Sequence, residues 1–304
     1  PAATASTVPA GSWPARCWRV SGALFQLLRR PEFMTRLLTL GVVLTLLGGC
    51  ASHGADPAVR DAAGGELAID QNICTRVAQE PERKLSKTER LAELRAALGA
   101  GYMQEGALDI ALRELEQSLE LNPRSATAHA TMALLQLRLS KPGLAGEHYR
   151  RALALSPSDP EIRNNYGVYL CGLGRAKEAD AQFRCAIANP LYRTPALAYT
   201  NAAECALRHD DDARAETDLM TAIQLDPAFV TPSLMLADMK FKAGDARAAR
   251  QHLARYVRRA GQTPAGLALG IRVESALGDL DRAASYRLLL KNRFPDSPEA
   301  RELN

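Results

Sequence analysis

Six cysteines and five histidines carry most of the chemistry available to this 304-residue chain. A thiolate can act as nucleophile, metal ligand or half of a disulfide. Cys50 stands apart, because it follows Leu47-Gly48-Gly49 at the end of an apolar run, Leu37–Leu47, that begins just behind Arg36. Small residues before a cut and a reactive side chain after it point to a thiol that is modified, not buried. Cys74, Cys171, Cys185 and Cys205 lie downstream and, in an exported chain, can keep disulfides. His53, His129, His148, His209 and His252 are scattered without zinc-ligand spacing, so no metal is expected. His209-Asp210-Asp211-Asp212 reads as a solvated acidic turn. There is no Gly-rich phosphate loop with strands around it. No Ser-His-Asp or Cys-His set emerges, so the sequence predicts no enzyme, no small-molecule substrate and no cofactor.

The elements around Cys50 form an address. Pro1 is not an initiator, and residues 1–33, rich in Ala, Ser, Pro and Gly, read as an upstream extension that is not native. Met34 is a better start, and 34–49 read as a signal peptide with an apolar stretch of 11 residues. A permanent span needs about 20 residues, so this stretch is too short to stay in a bilayer. Leu47-Gly48-Gly49-Cys50 resembles a bacterial lipobox. The resemblance implies a lipid on the Cys50 sulfur, cleavage just before it, and acylation of the new amine with chains such as palmitate. Each buried CH₂ contributes ~0.8 kcal/mol, so several chains make a stable anchor. Ala51, where an Asp would resemble an inner-membrane retention signal, favours the outer membrane. Residues 50–85 are expected to be the lipidated start and a flexible tether, with Gly54, Pro57, Gly64, Gly65 and Pro81 and few large apolar residues.

Charge follows the same division. Arg16, Arg19, Arg29, Arg30 and Arg36 against Glu32 account for the whole net charge of +4. From Cys50 onward the chain is neutral, which leaves no case for a nucleic-acid footprint.

A period of 34 organises the remainder. Ala111, Ala145, Ala179, Ala215, Ala249 and Ala283 are spaced by 34, 34, 36, 34 and 34. Pro123 and Pro157 are 34 apart, and Gly106, Gly174, Gly244 and Gly278 sit five residues before four of the alanines. Leu115, Tyr149, Phe183, Leu219 and Leu253 follow the first five alanines by four. This pattern is that of the tetratricopeptide repeat. It predicts an all-α superhelical solenoid of six helix pairs within 86–304, with units at 92–125, 126–159, 160–195, 196–229, 230–263 and 264–297. Glycine closes each first helix in a left-handed turn, alanine lets the helices approach, and proline ends the second helix. Ser86-Lys87-Thr88-Glu89 is a capping box opening the first helix. The third unit is two residues too long, and the excess falls at Asn189–Pro195.

Such solenoids bind with the concave wall of their first helices. The groove register places Met103, Leu134, Leu137, Val168, Leu207, Leu234 and Phe241 there, with Asn164, Glu204, Arg208, Asp238 and Lys242 as polar members. An apolar groove with a polar rim suits an amphipathic helix or an apolar peptide; the competing reading is packing between repeats. A carboxylate clamp is not expected, because its positions hold Ala96 and Ala100. Cys171 and Cys205 fall on adjacent first helices, and a bridge there needs Cα atoms within ~7 Å; two reduced, half-buried thiols are the alternative. Cys185 reads as a small core residue, and Cys74, in the tether, has no evident partner.

Asn164-Asn165-Tyr166-Gly167 through Leu170-Cys171, Asn189-Pro190-Leu191-Tyr192, Leu269-Gly270-Ile271-Arg272 and Ala283-Ala284-Ser285-Tyr286 resemble the type IV pilus biogenesis and stability lipoproteins, the PilF/PilW family. The odd third unit coincides with that family's NPLY-type loop. The resemblance implies a bridge between Cys171 and Cys205. It also implies a lipid-anchored, periplasm-facing protein of the Gram-negative outer membrane, acting as a pilotin for the secretin. The alternatives are stabilisation of assembled pili or a scaffold for another envelope assembly machine.

Overall fold

The computed structural model describes Cys74 and residues 84–303. The signal peptide, Cys50 and all of the expected tether before Lys84 except Cys74 lie outside the described residues. Thirteen helices make up the described body, with no strand among the described residues. In chain order they are α1 (Lys87–Gln104), α2 (Leu108–Leu121), α3 (Ala126–Arg138), α4 (Pro142–Leu155), α5 (Pro160–Gly172), α6 (Ala176–Ala188) and α7 (Pro195–Arg208). They continue with α8 (Asp212–Leu225), α9 (Thr231–Lys242), α10 (Ala246–Ala260), α11 (Pro264–Ala276), α12 (Leu280–Arg293) and the short α13 (Pro298–Arg301). Each odd helix up to α11 pairs with the next, and each pair stacks on the pair after it, giving six helix pairs, of which the first opens at Lys87, five residues ahead of the expected unit start at 92.

Local chemistry sets the boundaries. The Ser86 hydroxyl accepts from the Glu89 N–H at 3.1 Å, and Glu89 accepts from the Ser86 N–H at 2.8 Å, closing the capping box. Asp159, Asp211, Asp245 and Asp279 cap later helices in the same sense. The turn inside each pair needs a left-handed residue. Gly106, Gly174, Gly244 and Gly278 supply it with φ between 77° and 83°, while Ser140 and Asp210 take the position with φ of 59° and 60°. The acidic turn at 209–212 is therefore a turn-former and an N-cap: Asp210 bends the chain and Asp211 caps α8.

The repeating alanines are buried, five of them completely, and the residue four places on from each of the first five fills the space beside it. Close approach makes some positions glycine. A Cβ on Gly167 would lie 2.6 Å from the Phe183 ring, and one on Gly99 would lie 2.7 Å from Leu115. A second device also recurs with the period. The fourth residue of a unit latches onto the residue nineteen places later. Arg95 donates to Glu114 at 2.8 Å, His129 meets His148 at 3.0 Å, and Arg163 donates to Gln182 at 2.7 Å. In the second and third of these the same side chain also bonds the proline carbonyl of the loop before it, Pro123 at 3.1 Å and Pro157 at 2.7 Å. The latch survives complete changes of residue type because it fixes one distance between paired helices, not one chemistry.

The long third unit is resolved at its end. Asn189 accepts from the Leu191 N–H and donates to the Ser158 carbonyl at 2.8 Å, while Tyr192 folds back into a small core with Ala186 and Ala198. Burial pushes the Tyr192 phenol up to about 12.

Candidate interaction surface and its staples

The groove register contributes less open apolar surface than the sequence implies. Met103 is 7% exposed and belongs to the core of the first two units; Asn164 is 3% exposed. Neither offers a partner much to touch. Leu134, Leu137, Leu207, Leu234 and Phe241 are half-buried against the repeat cores, and only Val168, at 46%, stands open among the apolar set. The reason is geometric: in a stack of first helices, a side chain aimed at the groove also leans on the next helix. The polar members are tied to one another. Asn164 accepts from the Asn201 amide at 3.0 Å, Glu204 pairs with Arg208 at 2.5 Å, and Asp238 pairs with Lys242 at 2.7 Å. Asp238 also pairs with Arg272 at 2.8 Å, and Arg272 lies 5.2 Å above the Phe241 ring. Arg272 and Asn201 join this face although the groove register does not name them. Their signal is the period itself, since Arg272 lies 34 residues after Asp238 on the same face.

The second helices carry their own ladder. Arg184 of α6 bridges Asp180 on its own helix and Asp218 on α8, and Arg214 reaches back to Asp180. Asp218 is 4% exposed. A carboxylate this deep needs its arginine, because an unpaired buried charge costs several kcal/mol.

Two disulfides staple the stack. Cys171 and Cys205 are bridged, with Cα atoms 5.8 Å apart, joining the first helices of units three and four. The second bridge corrects the sequence reading. Cys185 is not a lone core thiol and Cys74 is not unpartnered: they form a disulfide, with Cα atoms 4.8 Å apart across 111 residues. Cys74 is 4% exposed, so this point of the expected tether belongs to the folded body. The count of four cysteines after Cys50 was the available signal, since an even number favours complete pairing. His209 has a ring nitrogen within 4.8 Å of both sulfurs of the Cys171–Cys205 bridge. Both thiolates are spent in that bond, so this trio is no metal site as it stands.

A titratable pair with lowered pKa lies in unit two. The Pro123 carbonyl can only accept, so His129 carries its proton on Nε2, leaving Nδ1 to accept from His148 Nδ1–H. Burial, with His129 and Arg151 nearby, lowers His148 to about 4; burial lowers His129 as well. A base whose folded pKa lies below its unfolded value stabilises the fold above the unfolded pKa, and the contribution is lost as pH falls through the folded one. Stability should therefore be flat above pH 6.5 and decline toward pH 4. For a partly exposed ring the drop from pH 7 to 5 is about 1 kcal/mol. Urea titrations at both values should show this, and His148→Asn should flatten the difference. An equal slope in the variant would assign the acid sensitivity elsewhere.

Comparison with known proteins places this architecture. No family model matches the chain. Over 205 residues it is 34% identical to the type IV pilus assembly protein PilF of Pseudomonas aeruginosa, covering 67% of this chain and 81% of that protein. A solved structure of Pseudomonas aeruginosa PilF superposes with a TM-score of 0.62 at 32% identity, covering 72% of this chain and 98% of the other. The crystal structure of PilW, a type IV pilus biogenesis factor, gives 0.64 at 30% identity, covering 70% of this chain and 97% of the other. A tetratricopeptide repeat protein of Parabacteroides merdae, 18% identical with a TM-score of 0.55 over 70% of this chain and 82% of its own, shares the fold. Sequence identity and fold agree, and the chain belongs to the PilF/PilW family of type IV pilus biogenesis factors.

Proposed function

We propose that this protein is an outer-membrane lipoprotein, anchored through Cys50 at the periplasmic face, that serves the type IV pilus as a pilotin-like scaffold. It holds a segment of the secretin and promotes the localisation and multimerisation of that pore. The observation that carries the reading is family membership through a six-pair solenoid placed behind the Leu47-Gly48-Gly49-Cys50 box. The parts divide the work. Acyl chains on Cys50 choose the membrane in which the cargo ends. A stapled array of first helices presents a preformed surface, so a bound segment does not have to order the scaffold. No step requires a catalytic residue, a metal or a small-molecule cofactor, and nucleic acid has no part.

The test compares secretin multimers in outer-membrane fractions of three strains: lacking the gene, carrying it, and carrying Cys50→Ala. Multimers should vanish in the first and be mislocalised in the third. Normal multimers in all three, with surface pili lost in the first, would sink the pilotin role and leave stabilisation of assembled pili.

A further inference from the structure

Every first helix after α1 buries two positions, four residues apart, at one register of the repeat. They are Ala128 and Met132 in α3, Ile162 and Tyr166 in α5, Ala198 and Ala202 in α7, Pro232 and Leu236 in α9, and Gly266 and Gly270 in α11. Contacts to the second helix of the preceding pair are seen at three of them: the Tyr166 ring lies 5.6 Å from Tyr149 of α4, a Cβ on Gly266 would meet the Tyr256 ring of α10 at 2.8 Å, and one on Gly270 would lie 3.6 Å from Leu253 of α10 and 2.7 Å from Tyr286 of its own pair. One period earlier the same register falls on Leu94 and Leu98 of α1, which are 57% and 44% exposed. Leu91, 43% exposed, extends the stripe by one turn. A register that is buried in five repeats is held by exposed leucine in the first.

We propose that this open end is a docking surface for one amphipathic α-helix of a protein partner, laid where a preceding unit would place its second helix. The occupant is inferred from continuity: the stripe is the next face of an interface that accepts one α-helix in each later repeat. Its partner side must carry aliphatic residues at i, i+3 or i+4, and i+7 to cover three leucines on two turns. The other end of the solenoid is closed by the chain itself, where α13 buries Ala300 in a core with Leu267, Ile271 and Leu290. Among the described residues α1 has no comparable cover. Cys74 is held at α6 by its disulfide, and residues 75–83, which join it to Lys84, contain Pro81 and only Val77 and Ala78 as apolar residues.

The experiment places the photoreactive residue p-benzoylphenylalanine at Leu94 of the full chain in its native host and sequences the linked peptide. The expected adduct joins Leu94 to a segment of another protein with aliphatic residues at helical spacing. The same probe at Leu288, an exposed leucine on α12, should give no such adduct. With the probe at Leu91, the pair Leu94→Glu and Leu98→Glu should reduce the adduct at least tenfold while helical content is unchanged. An adduct to a second copy, to residues 51–83 of the same chain, to a segment without that spacing, or no adduct overturns the proposal. The identity of the linked peptide is the readout, so the outcome does not depend on whether the secretin is the cargo.

Discussion

Phe183→Ala should be the most damaging single substitution in the solenoid, costing about 3–5 kcal/mol. Phe183 is completely buried on α6, its ring sits where only a hydrogen on Gly167 leaves room, and it belongs to a core that spans units two to four. No neighbour can collapse into the space, because the facing helix was brought close by glycine and presents no side chain there. A stack of repeats is stabilised by nearest-neighbour interfaces, so damage at the middle divides the array. Thermal melting followed by circular dichroism should show the midpoint lowered by roughly 10 °C and the single transition broadened or split. A midpoint within about 2 °C of wild type would mean that the repeat interface is far more plastic than close packing allows.

Loss of the Cys74–Cys185 bridge should have the second largest effect. The bond closes a loop across 111 residues, and the chain-entropy account gives about 5 kcal/mol for such a loop as an upper figure. The bridge crosses that of Cys171–Cys205 in sequence, so the two contributions do not add. Urea denaturation of Cys74→Ser with Cys185→Ser should shift the midpoint down with the loss concentrated in the first three units. The pairing has a covalent readout too. Trypsin cleavage at Arg76 or Arg83 should leave the N-terminal fragment attached on a non-reducing gel and release it on reduction. Immediate release without reductant would disprove the pairing. The bridge also matters for any anchor upstream, because it fixes the point of departure at unit three instead of at Ser86.

Much of this was legible in advance because a solenoid is nearly one-dimensional. Ala111 through Ala283 reveal the helix pairs, since each pair repeats the same local problem of bringing two helices together over a small side chain. Ser86 and Glu89 reveal the first boundary because capping is local. The Cys171–Cys205 bridge is within reach of the sequence because its ends fall on the first helices of adjacent units, which the repeat places side by side. Other features were not legible. Ser140 and Asp210 do the work of glycine without being glycine. The latch of Arg95, His129 and Arg163 has no residue-type signature. Met103 and Asn164 were assigned to an open groove, and how far a side chain leans on its neighbour depends on the spacing of helices in the stack.

The sequence by itself determined the repeat, its number of units, the turn chemistry and the position of the irregular third unit, because each depends on contacts within about 34 residues. Which surfaces remain depends on how the units stack. Cys74 meets Cys185 across more than three units, and no periodicity reports a contact of that range. Leu94 and Leu98 are buried positions by register and open ones in fact. The register is a property of every unit, whereas exposure depends on whether a neighbour is there to cover it.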